Sequence, residues 1–225
     1  MARQALEGVK VADFTVSAAG PIIGAWFGDF GAQVVHIESA SHPDLLRLAP
    51  PFKGDVAGLN RSAYSANYNR NKYGLALNLN LPQAREIAKK IVAWADVVIE
   101  SLGLGVMQRW ELGYEQLVKI KPDIIMISTT QQGQTGPWAA QRGYGLQAVA
   151  ASGFSYTTGW PDREPAQPYG AYTDFIAPRF STFMLLAALD YHRRTGKGCY
   201  IDLSQIGCAI QFLAPVVLEY SVNNR

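Results

Sequence analysis

Cysteine is scarce in this chain: Cys199 and Cys208 are the only two, nine positions apart and without a CxxC spacing. Neither a disulfide framework nor a zinc site can therefore organise it, and two reduced, packed thiols are expected. Histidine is scarce as well. His36, His42 and His192 are scattered, with no cysteine or paired carboxylate at metal-ligand spacing, so no metal is predicted. The chain also lacks a charge excess, since twenty basic residues against eighteen acidic ones leave a net charge of only +2. A field that weak points to neither nucleic acid nor a membrane surface as partner, and an anionic ligand would have to be held by local Arg and Lys groups. Long hydrophobic runs are missing too. No stretch reaches the roughly 18 apolar residues of a membrane span, and the opening MARQALEGVK has no continuous apolar core of the signal-peptide kind. The expectation is a cytoplasmic protein.

What is present is a large apolar fraction, 48% of 225 residues, enough for one sizeable core. The opening reads as strand Val9–Phe14, a polar turn through Pro21, an apolar helix to about Phe30 closed by Gly31, and strand Gln33–Glu38. Strand, helix and strand within about thirty residues have the proportions of a parallel βαβ unit. The unit lacks GxGxxG, so no nicotinamide or flavin site is predicted.

Residues 40–70 are rich in Pro, Ser, Asn and Tyr and carry no clear periodicity, which predicts a long functional loop ending at Asn69-Arg70-Asn71-Lys72. Further along, strands are predicted at Tyr73–Leu79, Ala95–Glu100, Asp123–Ser128 and Cys199–Leu203. Helices are predicted from Pro82, around Arg109, at Tyr114–Ile120, at Gly145–Ser152, at Phe180–Arg194 and at Ser204–Tyr220. This alternation argues for a doubly wound α/β domain, a mostly parallel sheet with helices on both faces. The dense Gly and hydroxyl turn Thr129–Pro137 follows a strand directly, the place where ligands sit in open parallel sheets.

In Gly170-Ala171-Tyr172-Thr173-Asp174-Phe175-Ile176-Ala177-Pro178, one carboxylate interrupts a nearly uncharged run ahead of a long apolar segment. Asp174 is the candidate nucleophile. Asp is equally a preferred capping and turn residue, so this stretch alone leaves both roles open.

Several stretches, taken in order, resemble the class III CoA-transferases, the family of formyl-CoA:oxalate and carnitine CoA-transferases and of α-methylacyl-CoA racemase. They are Asp13-Phe14-Thr15 with Ala19-Gly20-Pro21, Gly28–Val35 leading into Ile37-Glu38, Asp44 with Arg47, and Asn69-Arg70-Asn71-Lys72. Ala95–Glu100 with Gly105 and Arg109, Gly133-Gln134-Thr135-Gly136-Pro137, and Arg194–Gly198 complete the set. The resemblance covers about the N-terminal half of a family member. It implies a Rossmann-like large CoA-binding domain over residues 1–225, with the small domain and the C-terminal return segment absent, and an ending in Ser221–Arg225 that fits a longer parent chain.

By the same resemblance, Asp174 attacks an acyl-CoA thioester to give an aspartyl anhydride, and CoA then passes to a second carboxylic acid, the coenzyme A ester being substrate and no cofactor being held permanently. A carboxylate suits this role because it must both form the anhydride and leave again. The family pattern points to Arg70, Asn71, Lys72, Arg109, Gly133 and Gly136 as the CoA-binding set, with cations for the phosphates and glycines for a close backbone path. It also implies an interlocked homo- or heterodimer. Two other readings share the scaffold. A CoA-ester isomerase or racemase would need a His-Asp pair at Gly143-Tyr144-Gly145, where Tyr144 cannot shuttle a proton near neutrality as His does. A non-catalytic CoA-binding subunit is the other, motivated by Ala177-Pro178 where the family places a glycine.

Overall fold

Short apolar runs bounded by polar or glycine turns become six strands: β1 Lys10–Phe14, β2 Gln33–Glu38, β3 Tyr73–Ala76, β4 Val97–Glu100, β5 Ile125–Thr130 and β6 Cys199–Ser204. The computed structural model describes residues 4–224. All five strand pairings are parallel, in the order β3-β2-β1-β4-β5-β6. This is a doubly wound α/β sheet whose direction of winding reverses between β1 and β4.

Each face of the sheet is covered because the central strands are apolar on both sides. One core packs Val11, Ile99 and Ile127 against α1 (Ala19–Asp29), α6 (Gly145–Ala151), α7 (Phe154–Thr157), α8 (Thr173–Thr195) and α9 (Gln205–Phe212). The other packs Ala12, Val98 and Met126 against α3 (Pro82–Trp94), α4 (Val106–Arg109) and α5 (Tyr114–Ile120). The intervening α2 (Ala63–Tyr68) lies between the second and third strands, and α10 (Ala214–Asn223) follows α9.

Three elements differ from the sequence expectation. Residues 40–70 are not structureless: they hold 3-10 turns at Leu45–Leu48 and Lys53–Asp55 as well as α2, whose first turn is closed by the Ser62 side chain accepting from Ser65 N. These pieces are too short to show periodicity. Second, α8 begins at Thr173 rather than Phe180 and contains Pro178. Pro178, the sixth residue, removes the bond its missing N–H would give to the carbonyl of Asp174 and crowds that carbonyl, and the buried face formed by Ile176, Ala177 and Ser181 holds the segment helical. Third, the apolar run after Ser204 breaks at Leu213 into α9 and α10, bent by 60°. Pro215 starts the second helix and disfavours helical backbone in the residue before it.

Candidate active site

At the reversal between β1 and β4, the loops leaving both strands part and open two adjoining clefts. The larger, about 630 Å³, lies between the turn Val16–Gly20 after β1, Ser101–Leu104 after β4, Thr129–Gln132 at the end of β5, and Asp174. The smaller, about 300 Å³, is apolar at its base through Phe14, Ile37, Leu77, Leu102 and Trp110, and polar at its mouth through Ser39, His42, Asn78 and Asn80. Val16 and Leu102 line both, so they form the neck between them.

The neck is held by side chains set into the strand ends. Ser101 Oγ accepts from Val16 N at 2.9 Å and donates to Val16 O at 3.1 Å. Asp13 accepts from both the backbone and the hydroxyl of Thr15. Ser17 sits at φ +64, and Asp44 Oδ2 accepts from its N–H at 2.9 Å. Non-glycine backbone in the left-handed region is strained and persists only where its surroundings impose it. The first turn of α1 then enters so closely that a Cβ at Gly20 would lie 2.5 Å from Thr15 Cβ and 2.7 Å from Ser101 Oγ, so only glycine fits.

Asp174 is the second residue of α8, placed at the start of a helix of 23 residues. Its carboxylate accepts no hydrogen bond from any described residue, and burial pushes its pKa up to about 6. Removal from water disfavours the charged form, whereas the helix N-terminus favours it. The carboxylate lies over Gly145, where an added Cβ would sit 2.7 Å from Oδ1 and 2.4 Å from Ala171 Cβ. Thr173, fully buried, ties the two segments together by donating to Gly145 O at 3.2 Å. Tyr68 is near enough that the charge of Asp174 adds to burial and to Tyr64 in raising its phenol pKa. Across the cleft, the buried Thr129 Oγ1, Thr130 Oγ1 and Gln131 Oε1 have no hydrogen-bond partner. Buried polar atoms without partners are rare in native proteins, and here they line the cleft that holds Asp174.

The sequence model described as CoA-transferase family III matches residues 6–225. The chain belongs to CoA-transferase family III. Succinyl-CoA:glutarate CoA-transferase of Mus musculus is 36% identical over 98% of this chain and 50% of its own length. Acetyl-CoA:oxalate CoA-transferase of Acetobacter aceti is 34% identical, over 97% of this chain and 55% of that protein. The beta subunit of succinyl-CoA–L-malate CoA-transferase of Chloroflexus aurantiacus is 34% identical over 88% of this chain and 48% of its own length. The chain thus spans about half the length of the curated family III relatives it matches. A CAIB/BAIF family protein from Brucella suis has a crystal structure that superposes with a TM-score of 0.93 at 35% identity, covering all of this chain and 59% of that one.

For this family III chain, the structure brings Asp174 to the cleft and leaves the other six nominated residues out of the walls of both clefts. Lys72 is an internal charge: its side chain is 1% exposed, and Nζ donates to Asp13 Oδ2 at 2.7 Å and Asn69 Oδ1 at 2.9 Å. Burial alone would raise the Asp13 carboxyl, but Lys72 and His36 together hold it well below the usual carboxylate range. Arg70 pairs with Asp29, and Asn71, at φ +57, donates to Asp29 Oδ1 at 2.8 Å. Arg109 is exposed on α4 between Val106 of the larger cleft and Trp110 of the smaller one. Gly133 and Gly136 both have positive φ, +87 and +90, in the loop after β5.

Sequence reasoning passed over Arg142, the one cation among the described residues in the wall of the larger cleft, and Trp110, the indole in the smaller. Arg142 stands two residues before the Tyr144 N-cap of α6 in an ordinary polar turn, and nothing in one sequence marks that turn as facing Asp174.

Proposed function

We propose that the protein is a CoA-transferase that moves CoA between an acyl-CoA thioester and a free carboxylic acid through Asp174. The observation that carries this reading is a half-buried carboxylate without a hydrogen-bond donor, set at a helix N-terminus in a cleft at the C-terminal edge of a parallel sheet. The family and its named transferase relatives support it.

In the first step, an Asp174 oxygen attacks the thioester carbonyl. The C–S bond breaks, giving an acyl–aspartyl anhydride and CoA thiolate. The thiolate next attacks the Asp174 carbonyl, releasing the first acid as its carboxylate and leaving an aspartyl-CoA thioester. An incoming carboxylate attacks that thioester, expels the thiolate again and forms a second anhydride, from which the thiolate takes the new acyl group and restores Asp174. No net proton is consumed. A weak hydrogen-bond environment keeps Asp174 nucleophilic, because a carboxylate tied by strong donors would attack poorly.

CoA fits the two clefts in one direction. Its adenine enters the apolar smaller cleft beside Trp110, its phosphates cross the neck to the N-terminus of α1 and Arg142 in the larger cleft, and its pantetheine arm runs on toward Asp174. The names of the relatives make succinyl-CoA the first donor to test. Two of them are named as alpha and beta subunits, which favours a two-chain assembly as the second reading.

Intact-mass spectrometry after incubation with succinyl-CoA and a panel of other acyl-CoAs tests the mechanism. A hydroxylamine-sensitive adduct on Asp174, lost in Asp174→Ala, is expected. Bound acyl-CoA with no adduct under any donor would exclude covalent transfer by this chain.

A further inference from the structure

The registers of four strands line up Phe14, Glu100, Ser128 and Asp202 in one row across β1, β4, β5 and β6. Glu100 is the last residue of β4 and only 2% exposed, a carboxyl set behind the neck rather than in either cleft. Its Oε2 accepts from Leu102 N at 2.7 Å, and its Oε1 accepts from Gln134 Nε2 at 3.4 Å. Gln134 is gripped from its other side too, its backbone N–H donating to Asp202 Oδ1 at 2.8 Å. Thr135 Oγ1 reaches Asp202 Oδ2 at 3.5 Å. From the remaining neighbours, the Ser128 hydroxyl faces Glu100, and Tyr200 OH donates to Ser128 Oγ at 3.0 Å.

We propose that Glu100 is a positioning residue for the CoA thioester: one buried carboxyl fixes Leu102, which walls both clefts, and Gln134, which anchors the loop after β5. The inference rests on the transferase reading for the identity of the ligand. Burial, with the charge of Asp202 added, pushes the Glu100 pKa up to about 7 against the opposing Ser128 and Leu102 donors. A buried carboxyl would not be kept beside a second carboxylate for packing alone, since apolar side chains of similar volume fill such places at least as stably. Its two acceptor oxygens instead serve two loops that no backbone ladder holds.

The test measures acyl-CoA affinity by calorimetry and Asp174 adduct formation by mass spectrometry in wild type, Glu100→Gln, Gln134→Ala, the double variant and Asp174→Ala. Glu100→Gln is expected to weaken acyl-CoA binding about fivefold to tenfold, the loss of one charge-assisted hydrogen bond, with unchanged adduct yield at saturating donor. Gln134→Ala is expected to do the same, and the double variant to be no worse than the weaker single one, because both remove one contact. Wild-type affinity in Glu100→Gln, or losses that simply add, would overturn the proposal and leave the transferase reading standing. Should Glu100→Gln fail to fold, Gln134→Ala decides by the same affinity criterion. Binding without an adduct in wild type would overturn covalent transfer while the affinities still judge Glu100, and no CoA-ester binding by wild type would overturn both.

Discussion

The Asp174 carboxylate is a destabilising feature that the protein retains. With a folded-state pKa near 6 against an ordinary value of 3.8, the folded chain binds the proton more tightly than the unfolded one. Stability therefore falls as pH rises from about 4 through 6, and the full penalty, on the order of 2 kcal/mol, is present at pH 7.5. Asp174→Asn should raise the thermal midpoint at pH 7.5 and lose nearly all of that advantage at pH 3.5, below the unfolded pKa, measured by paired melts in both buffers. If Asp174 is the nucleophile, the same titration sets activity: the rate of adduct formation should climb tenfold per pH unit below about 6 and level off above it, since only the carboxylate attacks. A flat profile from pH 4.5 to 7.5 would disprove the burial of the nucleophile. Asp174, which the structure places in the larger cleft, stood out in the sequence because one carboxylate was alone in an uncharged run and the surrounding motifs matched. Lys72 was misleading for the opposite reason. Its motif was right, but the partner that removes it from solvent, Asp13, lies 59 positions earlier, and a charge in a sequence carries no label for what it will meet.

Helix α8 and helix α6 meet at Asp174, and their closeness depends on a missing side chain. A methyl group at Gly145 would have to displace Ala171 or the carboxylate itself. Gly145→Ala should lower the rate of adduct formation about a hundredfold, the scale of a displacement near 1 Å, with little change in acyl-CoA affinity. Equal rates would show that the two helices separate freely. The start of α8 could not be read from sequence because Pro178 resembles a helix boundary, and only tertiary burial shows that the helix runs through it. The strands were easier. Short apolar runs such as Val97–Ile99 and Ile125–Ile127 are buried on both faces of a central sheet, and that double burial is what makes such runs continuous rather than alternating. The 3-10 turns and α2 escaped notice because each is held by single capping bonds, such as Ser62 with Ser65, too local to leave a period.

At the scale of the whole molecule, the sheet order was legible as a class but the two clefts were not, since they arise where loops from β1, β4 and β5 converge from positions more than eighty residues apart. If CoA lies across both, Trp110→Ala should weaken binding of CoA and of adenosine 3′,5′-bisphosphate about tenfold while leaving a pantetheine thioester unaffected, by competition calorimetry. Equal losses for the pantetheine fragment would reverse the assigned direction. The buried charges unify the sheet in another way. Lys72 stands at the start of β3 and reaches past β2 to Asp13 on β1, spanning strands that share no backbone bond. Lys72→Met should cost about 3 kcal/mol by denaturant titration, because the buried Asp13 carboxylate loses its ammonium and keeps only His36 and Thr15 as partners, and adding Asp13→Asn should return much of the loss. An edge strand of four residues, mostly exposed, is the part of such a sheet most prone to slip or to recruit a foreign strand. Because its first neighbour in sequence is an ammonium paired with one particular carboxylate two strands inward, a slipped β3 would leave both charges buried without each other, so the pair should penalise every other alignment of that edge.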